Sequence, residues 1–142
     1  MRSYVSNVLG RQLVLHLQKG EDVLESITAA TRELGIRTAI VTSCVGSLRQ
    51  AVYHRVQTLD DDAQNAFFTI SKPIEIGAVQ GMIIDGVPHL HISFADLDRA
   101  YCGHMEPGCE VLYLVEVSIL ELQDADYVRR TDDHGITFID RR

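Results

Sequence analysis

Residues 79–95, the stretch VQGMIIDGVPHLHISFA, consist of two largely apolar runs on either side of a turn signal. Asp85-Gly86 at its centre is one of the strongest two-residue signals for a tight β-hairpin turn. The residues on either side, 79–84 and 87–95, are rich in apolar and β-branched side chains, as paired strands are. The sequence therefore predicts a β-hairpin over residues 79–95.

Polar and apolar residues alternate in the second strand of this hairpin. His89, His91 and Ser93 fall on one face, and the apolar residues between them fall on the other, because successive strand side chains point to opposite faces. Same-face residues lie roughly 6.6–6.8 Å apart along the backbone. That spacing lets two imidazoles reach one metal ion, each at about 2.0–2.1 Å.

A third ligand has to come from another part of the chain. His104 is the natural candidate, in a loop just past the strand, and the adjacent Gly103 lets that loop approach closely. Three imidazoles with an open fourth position are typical of a catalytic zinc site, although nickel, iron or copper would also accept them. Two alternatives stay open: Cys102 replaces one histidine, or the histidines form a hydrogen-bonded polar face without metal.

The remaining pattern predicts one helix and several strands. Apolar residues recur at helical spacing over residues 21–34. Strands are predicted at residues 12–18, 39–45, 48–57, 67–76, 79–84, 87–95, 111–122 and 136–139. Gly46-Ser47 separates two of them, Pro73 bends another, and a polar loop is expected at 59–66. We therefore predict an α+β fold with a single, mostly antiparallel sheet and one main amphipathic helix packed on it.

Length and composition limit the class of protein. The chain of 142 residues is 46% hydrophobic, enough for the core of one domain, residues 1–142. Its net charge of −7 disfavours DNA as a partner, because DNA-binding proteins usually present a basic face. No segment resembles a membrane span or a signal peptide, and three cysteines suit a reducing compartment. We therefore expect a cytoplasmic protein.

Glu116 interrupts the longest predicted strand, 111–122, which is otherwise apolar and expected to be central. A buried carboxylate needs a partner or a shifted pKa. It is either a fourth ligand or general base beside the metal, or part of an ion pair with an arginine such as Arg49 or Arg37. We favour the ion pair, because buried charges are usually paired. Catalytic residues are thus unknown, with Glu116 and Arg49 as candidates.

Several segments together resemble one known family. They are GSLRQA at residues 46–51, IEI at 74–76, DGVPHLH at 85–91, Gly103-His104, and the strand around Val115-Glu116-Val117. In this order they resemble the PPC domain (plants and prokaryotes conserved), in its stand-alone prokaryotic form. The resemblance covers nearly the whole chain.

The resemblance implies an antiparallel-rich sheet with flanking helices, a homotrimer, and a metal on three histidines, here His89, His91 and His104. Plant members bind AT-rich DNA through separate hook motifs, and prokaryotic members are described as DNA-binding by analogy. This chain has no Arg-Gly-Arg-Pro hook. Cys102 stands where the family has a glycine, which brings its thiol near the expected metal.

Three functions remain open at this point. A metal-dependent enzyme acting on a small molecule requires an open coordination site in a pocket, with Glu116, Glu75 or Arg49 nearby. A DNA-binding regulator requires a basic surface. A purely structural assembly domain requires a closed or buried metal site. We favour an oligomeric metal-binding domain, with a divalent ion, zinc first, as its cofactor.

Overall fold

The computed structural model describes residues 1–142 as nine strands and one helix. The strands are β1 (Leu9–Gln18), β2 (Ala39–Val56), β3 (Asn65–Ile70), β4 (Ile74–Ile84), β5 (Val87–Ala95), β6 (Ala100–Met105), β7 (Glu110–Leu122), β8 (Tyr127–Thr131) and β9 (Thr137–Arg141); the helix is α1 (Val23–Glu33). Seven strands form one antiparallel sheet in the order β1-β7-β2-β4-β5-β6, with β3 beside β2. The predicted α+β fold is confirmed.

Helix α1 lies within the predicted range of 21–34. Asp22 caps its N-terminus, where its carboxylate accepts a hydrogen bond of 2.8 Å from the backbone N–H of Glu25. Val23, Ile27 and Thr31 are buried and lie on one face, because residues four apart are neighbours on a helix. The helix therefore packs one stripe onto the sheet and leaves its other side in water. It has 11 residues, and no helix of the structure is long enough to cross a bilayer.

Strand β2 is continuous over 18 residues, so the predicted break at Gly46-Ser47 is wrong. A register shift against β7 between Gly46 and Leu48 absorbs the irregularity. The first half of β2 pairs with β4 and β7, and its second half pairs with β3 and β6. One long strand thus links the two ends of the sheet.

The neighbouring predictions also need correction. The predicted loop at 59–66 ends early, because β3 begins at Asn65, and the predicted strand 67–76 is two strands, β3 and β4, separated around Pro73. The hairpin between β4 and β5 is confirmed. Asp85 and Gly86 both have positive φ, 53° and 77°, as its type I′ turn requires.

Strand β6 closes part of the sheet into a ring. It pairs with β5 and also with β2, where His54 lies opposite His104. Because β2 also pairs with β4, and β4 with β5, these four strands form a closed circuit. His104 is therefore a strand residue, not the loop residue that was predicted. Pairing on both edges of β6 holds its backbone in place.

Strand β7 lies between β1 and β2, as predicted for a central strand. Only one of its faces is buried, however, with Val111, Val115, Val117 and Ile119 in the core. The opposite face of β1, β7 and β2 is open to solvent and carries the exposed apolar side chains of Val14, Leu114 and Val45. We call this surface the outer face.

The charged C-terminal stretch forms a separate hairpin of β8 and β9. Strand β9 overlaps the short strand predicted at 136–139 but begins one residue later and extends to Arg141, whereas β8 was not predicted. The hairpin packs against the end of β4 through a second, small apolar cluster, which contains Ile84, Ala125 and Tyr127 and is distinct from the main core.

Candidate metal centre

The two hairpin histidines and His104 come together on one surface. His89 and His91 lie on β5, and His104 lies on β6 directly opposite His91. One ring nitrogen from each of the three lies within 4.8 Å of the others. As predicted from strand alternation, His89 and His91 are exposed, while Leu90 and Ile92 between and beside them are buried. The residues predicted as metal ligands are therefore near neighbours in the fold.

The backbone beneath the histidine pair requires a glycine. Gly81 on β4 lies opposite Leu90, the residue between His89 and His91. Its φ is 145°, which side chains rarely adopt, and a Cβ there would overlap the carbonyl oxygen of His89 and lie 3.0 Å from the Leu90 Cα. Gly81 thus allows β4 to approach β5 closely at the centre of the site.

A second glycine brings β6 against β2. A Cβ at Gly103 would lie 2.5 Å from the carbonyl oxygen of His54 and 2.6 Å from the ring of Tyr53. Both distances are well inside van der Waals contact. Gly103 was predicted to allow a close approach beside His104, and the structure shows such an approach. The element that Gly103 approaches is strand β2.

The surroundings of His104 and His89 favour the neutral form of these two side chains. Burial, followed by the charges of His54 and His89, lowers the pKa of His104 to about 4. Partial burial also lowers the pKa of His89, and the nearby Arg129 guanidinium lowers it further. Only a neutral imidazole has a free lone pair for a metal. These two side chains therefore need not release protons at neutral pH before binding an ion.

The histidine cluster opens to solvent. A cavity of about 470 Å³ is lined by His89, His91 and His104 together with Cys102 and His54. Cys102 is exposed and borders this cavity, but its thiol does not belong to the group of converging ligand atoms. A metal on the three histidines would thus keep a coordination position facing a cavity.

His54 and Glu106 adjoin the site and were not predicted. The Nδ1 of His54 lies 2.6 Å from Oε1 of Glu106, and the His54 ring stacks on His104 at 4.4 Å between centroids. Together with His104 they form a second group with ligand atoms within 4.8 Å. These residues are 52 positions apart along the chain, so no local pattern could have revealed them.

The two candidate catalytic residues lie away from the histidines. The Glu116 side chain is 61% exposed on the outer face, and its ionic neighbour is His16, 3.8 Å away. It is therefore not buried, and the ion pair with Arg49 or Arg37 that we favoured is wrong. Arg49 lies 3.4 Å from Glu110 and borders a different cavity.

Arg37 is bound instead to Asp85 in the hairpin turn. Glu75 lies in a further cavity beside Tyr113 and Asp96. Neither the histidine cavity nor the second group of ligand atoms contains any of the acidic or basic residues that the sequence suggested for catalysis.

The fold and the site define a small α+β domain with a three-histidine cluster on the surface of a curled sheet. The chain belongs to the Plants and Prokaryotes Conserved domain family, abbreviated PCC or PPC, whose model matches residues 4–123. The family membership predicted from the sequence motifs is thereby confirmed.

Curated relatives include the bifunctional protein GlmU of Synechococcus sp. strain JA-3-3Ab, which is 28% identical over 119 residues. The match covers 83% of this chain but 18% of that protein. This chain therefore spans less than a fifth of the length of the curated relatives that it matches.

Three solved structures share the fold. A plant- and prokaryote-conserved protein of Pyrococcus horikoshii has a TM-score of 0.83 at 20% identity, covering 100% of this chain and 99% of its own. The metal-containing protein AF0104 of Archaeoglobus fulgidus has a TM-score of 0.78 at 24% identity and 95% coverage of both chains. A proposed DNA-binding protein of Bacteroides thetaiotaomicron has a TM-score of 0.78 at 16% identity and 96% coverage of both. At these identities the likeness shows the fold alone.

Proposed function

We propose that this chain is an oligomeric metal-binding domain that holds one divalent ion on His89, His91 and His104. The observation that carries the proposal is the convergence of three ring nitrogens within 4.8 Å on two paired strands. Zinc takes each ligand nitrogen at roughly 2.0–2.1 Å from the ion. Rotation of the exposed His89 and His91 rings toward the half-buried His104 would close the site to that distance. The metal-containing neighbour from Archaeoglobus fulgidus agrees with this proposal.

The donor set favours zinc among the common metals. Three imidazoles of borderline softness suit zinc, while magnesium and calcium prefer oxygen ligands. An ion held there would supply Lewis-acid chemistry. Around it, the His54–Glu106 pair lies against His104 and fixes the orientation of that ring.

We include the trimeric assembly and the single-domain organisation of residues 1–142 in this proposal, together with a cytoplasmic location. The outer face supports assembly, because Val14, Val45 and Leu114 are 68%, 45% and 41% exposed around the His16–Glu116 pair. Sedimentation equilibrium should give three times the 15.9 kDa of one chain. A monomeric mass at micromolar concentration would contradict the trimer and leave the metal site untouched.

DNA binding is the weaker alternative. Although a fold neighbour carries that description, the net charge of −7 opposes association with a polyanion. We therefore expect no measurable duplex binding in a salt titration, even at low salt. The GlmU activities are not carried over to this chain, because it matches 18% of that protein.

The metal proposal is tested by removing one ligand. Wild-type protein, purified without added metal, should contain close to one zinc per chain. His91→Ala should contain almost none, because losing one of three protein ligands leaves only two donors for the ion. Elemental analysis of both proteins, combined with a zinc titration of the metal-free forms, measures the difference.

His16→Ala is the matched control. His16 is also an exposed strand histidine, but it lies on the outer face beside Glu116. It should retain the wild-type metal content. Equal metal in the wild type and His91→Ala would refute the three-histidine site.

A further inference from the structure

Arg129 borders the histidine site from the C-terminal hairpin. It lies on β8, outside residues 4–123 that match the family, and it lines a second cavity of about 530 Å³ together with His89 and His91. The two hairpin histidines therefore face two cavities, one bordered by Arg55 and the other, on the β4 side, bordered by Arg129.

Arg129 is partly buried, and its guanidinium has an unpaired donor. Its Nε is buried and makes no hydrogen bond, and burial lowers the pKa of its guanidinium. A buried donor without an acceptor costs free energy, and a charged one costs more. An acceptor from outside the chain would remove that cost.

Two other arginines of the same segment have carboxylate partners, and Arg141 lies over the ring of Tyr4. Arg130 lies 3.2 Å from Asp140, and Arg142 lies 3.1 Å from Asp126. The chain has 20 acidic residues for 13 basic ones, so acceptors are not scarce. Arg129 is nevertheless left without one.

The cavity beside Arg129 suits a small organic anion. None of its lining residues is acidic, so nothing in the wall competes for the guanidinium. Met82 and Ile139 provide apolar surface, and Thr137 and Gln80 add polar groups, while the ring of Phe138 is covered by the Arg2 guanidinium. An ion on the histidines would add positive charge at the same opening.

We propose that Arg129 binds the carboxylate of a small ligand in this cavity, beside the ion held by the histidines, with the hydrocarbon part of the ligand against the apolar surface. A guanidinium pairs with a carboxylate through two parallel N–H···O bonds, which gives both charge and orientation. The inference rests on the proposed metal site for its neighbouring ion, and on Arg129 and the cavity wall for the ligand.

Sodium butyrate is the probe, and binding is measured by titration calorimetry on zinc-loaded and zinc-free protein. We expect butyrate to bind zinc-loaded wild type, and Arg129→Gln to bind it at least about 10-fold more weakly, as the loss of a charge-assisted pair implies. Arg129→Lys keeps the charge but loses the paired geometry. Its affinity for butyrate should therefore fall between those of wild type and Arg129→Gln.

Arg130→Gln is the matched control, since Arg130 is the next residue on the same strand and is bound to Asp140. It should bind butyrate as wild type does, and its melting temperature shows whether the hairpin tolerates a lost charge. Elemental analysis of the same samples tests the metal site separately. Equal butyrate affinity in wild type and Arg129→Gln, or no binding to wild type, would overturn the role of Arg129 even with zinc fully bound.

Discussion

Gly81→Ala should unfold at a clearly lower urea concentration than wild type and should lose most of its zinc. The added methyl group would force a side chain into φ 145° and into the backbone of β5 at His89 and Leu90. Backbone strain and overlap together imply a loss of about 3 kcal/mol or more in the free energy of unfolding. Because the overlap falls between His89 and His91, the ligand spacing should be disturbed as well.

Gly77→Ala is the control for this prediction. Gly77 lies on the same strand, has no left-handed φ, and a Cβ there would meet the Ser93 carbonyl oxygen at an ordinary 3.4 Å. Its stability should change by less than about 1 kcal/mol, and its zinc content should not change. Equal urea midpoints for the two variants would show that β4 and β5 do not require a glycine at residue 81.

Ile92→Ala should destabilise the protein strongly while sparing the metal site. Ile92 is completely buried in the main core, next to His91 but on the opposite face of β5. Truncating a buried isoleucine to alanine costs about 2–5 kcal/mol, because transfer free energy is lost and a cavity remains. Urea unfolding of metal-free protein measures this loss, and a zinc titration under native conditions measures the site.

Ser93→Ala tests the other face at the adjacent residue. Ser93 is exposed on the histidine side of β5. The free energy of unfolding of Ser93→Ala should therefore differ from that of wild type by no more than about 0.5 kcal/mol. If Ile92→Ala bound zinc much more weakly at a temperature where it is fully folded, the ligands would depend on core packing rather than on strand alternation alone.

The hairpin and its histidines were predictable because their signals are local. The two-residue turn and the alternation of polar and apolar residues both lie within residues 79–95. The structure has the expected turn and the expected faces. The helix was predictable for the same reason, since its buried residues recur at every fourth position. Errors there are confined to one or two terminal residues.

Other features depend on contacts between distant parts of the chain. The continuity of β2 at Gly46 depends on strands that flank it, and the strand state of His104 depends on β2 and β5. Glu116 was expected inside because β7 is apolar on both faces, yet the structure leaves one face open. His54 lies at the site because β2 pairs with β6 in the ring of strands. Arg129 lies at the site because the C-terminal hairpin packs beside it.

The C-terminal hairpin and the family region of the sheet contribute different parts of the proposed site. The proposed metal ligands lie in the region shared with the family, whereas Arg129 lies on the hairpin that packs through the second, small apolar cluster. The hairpin contacts the sheet through Ile84 and through the ion pair between Arg142 and Asp85. If the proposed roles hold, a variant with a different extension would keep the ion site and present a different side chain to the ligand, so we expect ligand selectivity to follow the hairpin.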